Sequence, residues 1–130
     1  MKRFLLILFT LFLVSNVHAQ DKHKGPMIKF ATNEWNVGKF SKKRPRRGVA
    51  FRFDNTGTAD LVIETVDPKC GCLSVEWPKE PIPPGGHGYV TIIYEGGRQL
   101  PHFFRKMAVV NSNCESYKYY RLYIEGEMTE

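Results

Sequence analysis

Beyond residue 19 the sequence has no apolar run approaching the roughly 20 residues that a spanning helix needs. Apolar spacing of three and four persists nowhere over ten residues, so a helical domain is not expected either. There is no glycine-rich phosphate cradle and no Gly-X-Ser-X-Gly elbow, and the carboxylates are scattered over predicted strand faces. Hydrolytic, acyl-transfer and nucleotide chemistry therefore lack the residue patterns they require, and no enzyme is expected. Cysteine is scarce: Cys70, Cys72 and Cys114 are all there are, which leaves at least one unpaired within a monomer. A copper(I) site built from Cys70, Cys72 and one imidazole of His23, His87 or His102 would suit thiolate ligands. That spacing is generic, however, and neither a metal nor another cofactor is expected.

What is present begins with an address. Lys2 and Arg3 supply a positive start, Phe4 to Val14 an apolar stretch of about eleven residues, and Val17-His18-Ala19 a small-residue exit. Residues 1–19 read as a cleavable signal peptide and residues 20–130 as one domain, placing the mature chain in the periplasm or outside the cell. A mature chain of 111 residues (130 less 19) can bury roughly two thirds of its unfolded surface in one core, and leaves no room for a second. Export to an oxidising compartment also favours disulfides over metal or catalytic thiols.

Positive charge is concentrated rather than abundant. Removing Lys2 and Arg3 takes the 19 basic residues to 17 against 13 acids, a net charge of +4. Ten Lys or Arg residues fall between Lys22 and Arg52, with Lys42-Lys43-Arg44-Pro45-Arg46-Arg47 the densest block. Pro45 and mutual repulsion make that block a solvated hairpin loop in the plain reading. In the functional reading Lys42, Lys43, Arg44, Arg46 and Arg47 contact an anion: lipid headgroups, an acidic glycan or an acidic protein. Nucleic acid is not an expected partner, since no RNA-binding aromatic or glycine signature accompanies the charges.

The dominant period is two. Val49, Phe51 and Phe53 alternate with Ala50, Arg52 and Asp54, which puts one face on a core and one in water. Asn55-Thr56-Gly57-Thr58 supplies a turn in which Gly57 can take a positive φ. Leu61-Val62-Ile63 opens the next strand, ending near Pro68. Pro81-Ile82-Pro83-Pro84-Gly85-Gly86 cannot sit inside a sheet because its prolines lack ladder donors. Tyr89 to Tyr94 reads as a central or doubly covered strand. A strand through Phe104, Ala108 and Val110 and a last one with Tyr120, Leu122 and Ile124 on one face follow, Gly126 marking the frayed end. With Met27 to Phe30 and Trp35 to Phe40 in front, the pattern is all-β, an immunoglobulin-like β-sandwich of about seven or eight strands. Trp35, Trp77, Tyr117, Tyr119 and Tyr123 are candidate exposed anchors, Tyr119 and Tyr123 lying opposite Leu122 and Ile124.

Phe51-Arg52-Phe53-Asp54-Asn55-Thr56-Gly57, Leu61-Val62-Ile63, Cys70-Gly71-Cys72, Ile82-Pro83-Pro84-Gly85, Asn111-Ser112-Asn113 and Ile124-Glu125-Gly126, in that order, resemble the exported bacterial domain-of-unknown-function family 1573. The resemblance covers nearly all of residues 20–130. It implies an immunoglobulin-like domain similar to those of hydin and major sperm protein, which act as interaction modules, and it carries no catalytic residues to transfer. Cys114 and the basic block depart from the family pattern.

Three single bridges are open to the thiols. Closing more than forty residues to Cys114 stabilises by roughly 4 kcal/mol, whereas closing the three from Cys70 to Cys72 gives about 1.6 kcal/mol before strain. Loop entropy thus favours a structural bridge to Cys114. A Cys70–Cys72 bridge would be the more reducible one. The reading that follows is an exported, non-catalytic binding or structural module of the cell envelope whose partner is a protein or glycan. The alternative is a thiol-redox or disulfide-exchange protein using Cys70 and Cys72.

Overall fold

The computed structural model describes residues 24–130. The predicted signal peptide, the cleavage point after Ala19 and His23 lie outside the described residues. The strands are β1 (Ile28–Phe30), β2 (Glu34–Ser41), β3 (Arg46–Asn55), β4 (Ile63–Pro68), β5 (Leu73–Glu76), β6 (His87–Glu95), β7 (His102–Ser112) and β8 (Tyr119–Thr129), with a 3-10 turn at Gly96–Arg98. They form two four-stranded sheets, ordered β1-β3-β6-β5 and β2-β8-β7-β4, so the molecule is the expected eight-stranded sandwich. All pairs are antiparallel except β2, which runs parallel to β8.

Alternation places the core. Phe51, Phe53 and Asn55 of β3, Val90, Ile92 and Tyr94 of β6, Phe104, Ala108 and Val110 of β7 and Leu122, Ile124 and Met128 of β8 point between the sheets and are buried. The apolar run from Tyr89 to Tyr94 reflects a central position between β3 and β5, not cover on both sides, because Tyr89 on its outer face is 47% exposed. Chain β5 escapes the period-two reading, since four residues after a turn are too few to display it.

Two glycines act differently from expectation. Gly57 does not take a positive φ. Its hydrogen instead faces the incoming N-terminal segment, where a Cβ would lie 2.1 Å from the Gly25 carbonyl oxygen and 2.6 Å from the Met27 nitrogen. Gly126 is buried inside β8, with strand pairing continuing to Thr129, and a Cβ there would meet Val37 at 2.7 Å. It admits the irregular stretch of β2 between Asn36 and Lys39, where Gly38 takes a φ of +77°.

The Asn-Thr-Gly turn is an anchor. The buried Asn55 side chain donates from Nδ2 to the carbonyls of Ala59 (2.8 Å) and Ile82 (2.9 Å). Its Oδ1 accepts from the Gly57 N–H (3.0 Å) and the Met27 N–H (3.3 Å). One amide therefore fastens the N-terminal segment, the β3–β4 connection and the proline-rich connection, which also pairs through a Leu61–Ile82 bridge. Leu61 belongs to that bridge, and β4 proper begins at Ile63.

Candidate functional site

Three connections that pass between the sheets gather at one end of the sandwich. Residues 42–45 join β2 to β3, residues 69–72 join β4 to β5, and residues 96–101 join β6 to β7. The first and third touch directly: a Cβ at Gly96 would lie 2.8 Å from the Pro45 carbonyl oxygen. The second and third share a shallow depression lined by Gly71, Cys72, Glu95, Gly97, Arg98 and Gln99.

The basic block divides into two groups. Arg46 and Arg47 are part of β3 rather than of a loop. Arg47 lies over the Phe40 ring at 4.5 Å and donates from Nη1 to the Arg44 and Arg46 carbonyls, both at 2.8 Å, so it builds the turn. Arg46 pairs with Glu95 at 3.3 Å, and Glu95 also accepts from the Ser74 hydroxyl. Lys42, Lys43 and Arg44 form the turn itself, closed by an Arg44 N–H to Ser41 carbonyl bond of 2.9 Å. These three and Arg98 have no carboxylate partner among the described residues.

The cysteines pair as loop entropy does not favour. Cys70 and Cys72 lie at disulfide distance, their Cα atoms 5.1 Å apart, while Cys114 is free and buried. The bridge to Cys114 fails on geometry. Cys114 follows Ser112, which pairs with Ile63 at the start of β4, whereas Cys70 follows Pro68 at its end. Five residue steps along β4 and four along β7 separate the two levels, roughly 13–17 Å at about 3.3 Å each. A disulfide tolerates about 7 Å between Cα atoms. Cys114 packs instead as a small apolar residue, its Sγ 3.8 Å from the Met27 sulfur.

The Cys70–Cys72 pair sits where the chain leaves one sheet for the other. Leu73 N–H bonds to the Cys70 carbonyl (3.1 Å), Glu95 N–H to that of Cys72 (2.7 Å), and Lys69 N–H to that of Met107 (3.0 Å). Both strands are thus reached within four residues. Cys72 is buried, Cys70 half-buried and Gly71 exposed. Lys69 forms an ion pair with Asp67 rather than with a thiol.

Of the aromatic candidates, Trp35, Tyr117 and Tyr119 are exposed, whereas Trp77 packs half-buried against the core. Tyr119 and Tyr123 do face outward from β8. Tyr123 is half-covered by Arg105, whose guanidinium lies 4.3 Å from its centroid and binds Glu125 (2.9 Å) and Glu34 (3.1 Å). Those two carboxylates, Glu125 foremost, raise the Arg105 pKa further. Leu100 and Phe103, which belong to none of the sequence motifs, are 77% and 64% exposed at the end that carries the basic turn. One signal was available: in a period-two strand the adjacent Phe103 and Phe104 cannot both face the core.

His87 and His102 open β6 and β7, and no cluster of three His, Cys, Asp or Glu residues suited to a metal occurs among the described residues. No helix there is long and apolar enough to cross a membrane.

Sequence comparison with curated proteins returns no match. Among solved structures, the fold is similar to a protein of unknown function from Porphyromonas gingivalis, at 15% identity and a TM-score of 0.70, over 86% of this chain and 51% of that one. It is also similar to an ASH/PapD-like domain of human CEP192 (11% identity, TM-score 0.55, 79% of this chain and 85% of that one). The YadV chaperone is a third likeness (14%, 0.52, 78% and 50%). This chain spans about half the length of the Porphyromonas protein and of YadV. At these identities the likenesses establish the fold alone. The model of a family described as protein of unknown function, DUF1573, matches residues 28–128, and the chain belongs to that family.

Proposed function

We propose that the protein is an exported, non-catalytic binding module of the cell envelope that engages an anionic partner through the end formed by residues 42–47, 69–72 and 96–103. The observation that carries this reading is the separation of the basic block into structural and free cations. Arg46 and Arg47 are engaged within the fold, whereas Lys43 and Arg44 are exposed and Lys42 half-buried, all three without carboxylate partners among the described residues. Loops held on a rigid sandwich end are a common seat of binding, and a local positive field raises encounter rates with anions.

Retention on immobilised polyglutamate and on heparin tests the reading. The mature protein should bind in low salt and elute as salt rises, and K42Q/K43Q/R44Q should lose most of that retention while unfolding at the same urea concentration. Equal retention of the variant would count against this end. Export is checked by cell fractionation with N-terminal sequencing, which should find the mature chain outside the cytoplasm beginning at Gln20.

The formed Cys70–Cys72 pair favours thiol exchange as a second reading. Its test is direct exchange with a reduced substrate protein: as two substrate thiols are oxidised to a disulfide, the Cys70–Cys72 bridge should be reduced to two thiols, and C70S/C72S should abolish that transfer without unfolding the domain.

A further inference from the structure

We infer that the anionic partner is a lipid surface, onto which the sandwich end docks with Leu100 and Phe103 entering the headgroup region. This inference rests on the anion-binding reading above and adds an apolar component to it. Leu100 is the most exposed large hydrophobic residue described, and Phe103 shares with Tyr119 the second place. Phe103 lies in register with Glu127, and Glu127 with Lys39, so β7 stands two strand spacings from β2, about 10 Å. Lys42 continues β2 and remains tied to β8 by its N–H to the Thr129 carbonyl at 2.8 Å. The exposed Lys43 and Arg44 and the half-buried Lys42 thus lie at the same end as the apolar pair, and Arg98 precedes Leu100 by two residues.

The mixture selects among anions. A soluble polyanion such as polyglutamate offers nothing to Leu100 and Phe103, and an acidic glycan offers a sugar face to Phe103 but nothing to Leu100. A stable protein partner commonly covers about 800 Å² per side with a contiguous apolar centre, whereas this end offers two separate apolar side chains among long, solvated cations. Two projecting apolar groups beside basic side chains are what an interface between anionic headgroups and acyl chains accommodates.

Co-sedimentation of the mature protein with two kinds of vesicle tests the inference. One is phosphatidylcholine alone, the other a two-to-one mixture of phosphatidylcholine and phosphatidylglycerol. Binding should be confined to the mixed vesicles and fall with added salt. K42Q/K43Q/R44Q should weaken it by at least about tenfold, given the attraction of each basic residue to an anionic leaflet. L100S/F103S, which changes only exposed positions, should abolish vesicle binding while leaving retention on heparin intact. Retention on heparin with no binding to either vesicle overturns the lipid inference and leaves the anion reading standing; failure on both removes both. Vesicle binding by L100S/F103S equal to that of the unaltered chain also overturns it, because the apolar pair would then play no part.

Discussion

Asn55 shows how much of this fold rests on single side chains. Both of its amide protons are donated and its oxygen accepts twice, and all four partners are backbone groups spread over three segments. Asn55→Ala should therefore destabilise by more than about 3 kcal/mol in urea unfolding, since each stranded buried group costs about 1–3 kcal/mol. Gly57→Ala should cost a similar amount, because the new Cβ meets backbone rather than a side chain that can swing away. Tyr94 carries the opposite lesson. Its ring stacks on Phe104 at 3.9 Å, yet its buried hydroxyl has no hydrogen-bond partner. Burial holds the phenol above its ordinary pKa. The folded state consequently binds that proton more tightly than the unfolded chain, so the contribution of Tyr94 is constant below about pH 10 and declines above it. Tyr94→Phe should raise stability at neutral pH by about 1 kcal/mol and flatten the alkaline decline, as followed by thermal melts from pH 8 to 11. An unchanged alkaline limb in the variant would show that other groups govern it.

At the scale of elements, the strands that alternate over many residues were legible and the short or interrupted ones were not. Val49 to Asp54 and Tyr120 to Ile124 write their faces into the sequence, while the continuation of β8 past Gly126 to Thr129 does not. Leu73–Glu76 does not, and the register of β2 breaks between Asn36 and Lys39 where Gly126 makes room. The candidate site was legible in part: the basic block and the Cys-Gly-Cys motif stand out by composition, but their convergence with residues 96–101 is a property of topology. The cysteine pairing was the plainest mismatch. Loop entropy ranks bridges as if any two thiols could meet, whereas β4 holds Cys70 and Cys114 at opposite ends of its length. Thiol titration should accordingly find no reactive thiol in the folded, unreduced protein and one after denaturation, that of Cys114. Because the bridge closes so short a loop, C70S/C72S should cost no more than about 2 kcal/mol. A loss well beyond that would mean the crossover depends on the bridge for its shape.

For the whole molecule, the two ends of the sandwich divide labour. One end is fastened by Asn55, the Leu61–Ile82 bridge and Cys114 against Met27, and its polar groups are largely spent on the fold. The other carries Lys42, Lys43, Arg44 and Arg98 without carboxylate partners, beside Leu100, Phe103 and the disulfide crossover. On the sheet faces between them Lys39, Arg52 and Arg105 are paired with carboxylates, Arg105 with both Glu34 and Glu125, while Lys29, Lys106 and Arg121 have no carboxylate partner among the described residues. Binding of an anion should thus be local and salt-dependent rather than spread over a generally basic surface. The most direct test is amide NMR of the mature protein during titration with short polyglutamate. Shifts should concentrate at residues 42–47, 69–72 and 96–103 and disappear in high salt; shifts centred on residues 56–60 and 83–87, or spread evenly over both sheets, would contradict an anion-binding surface at this end.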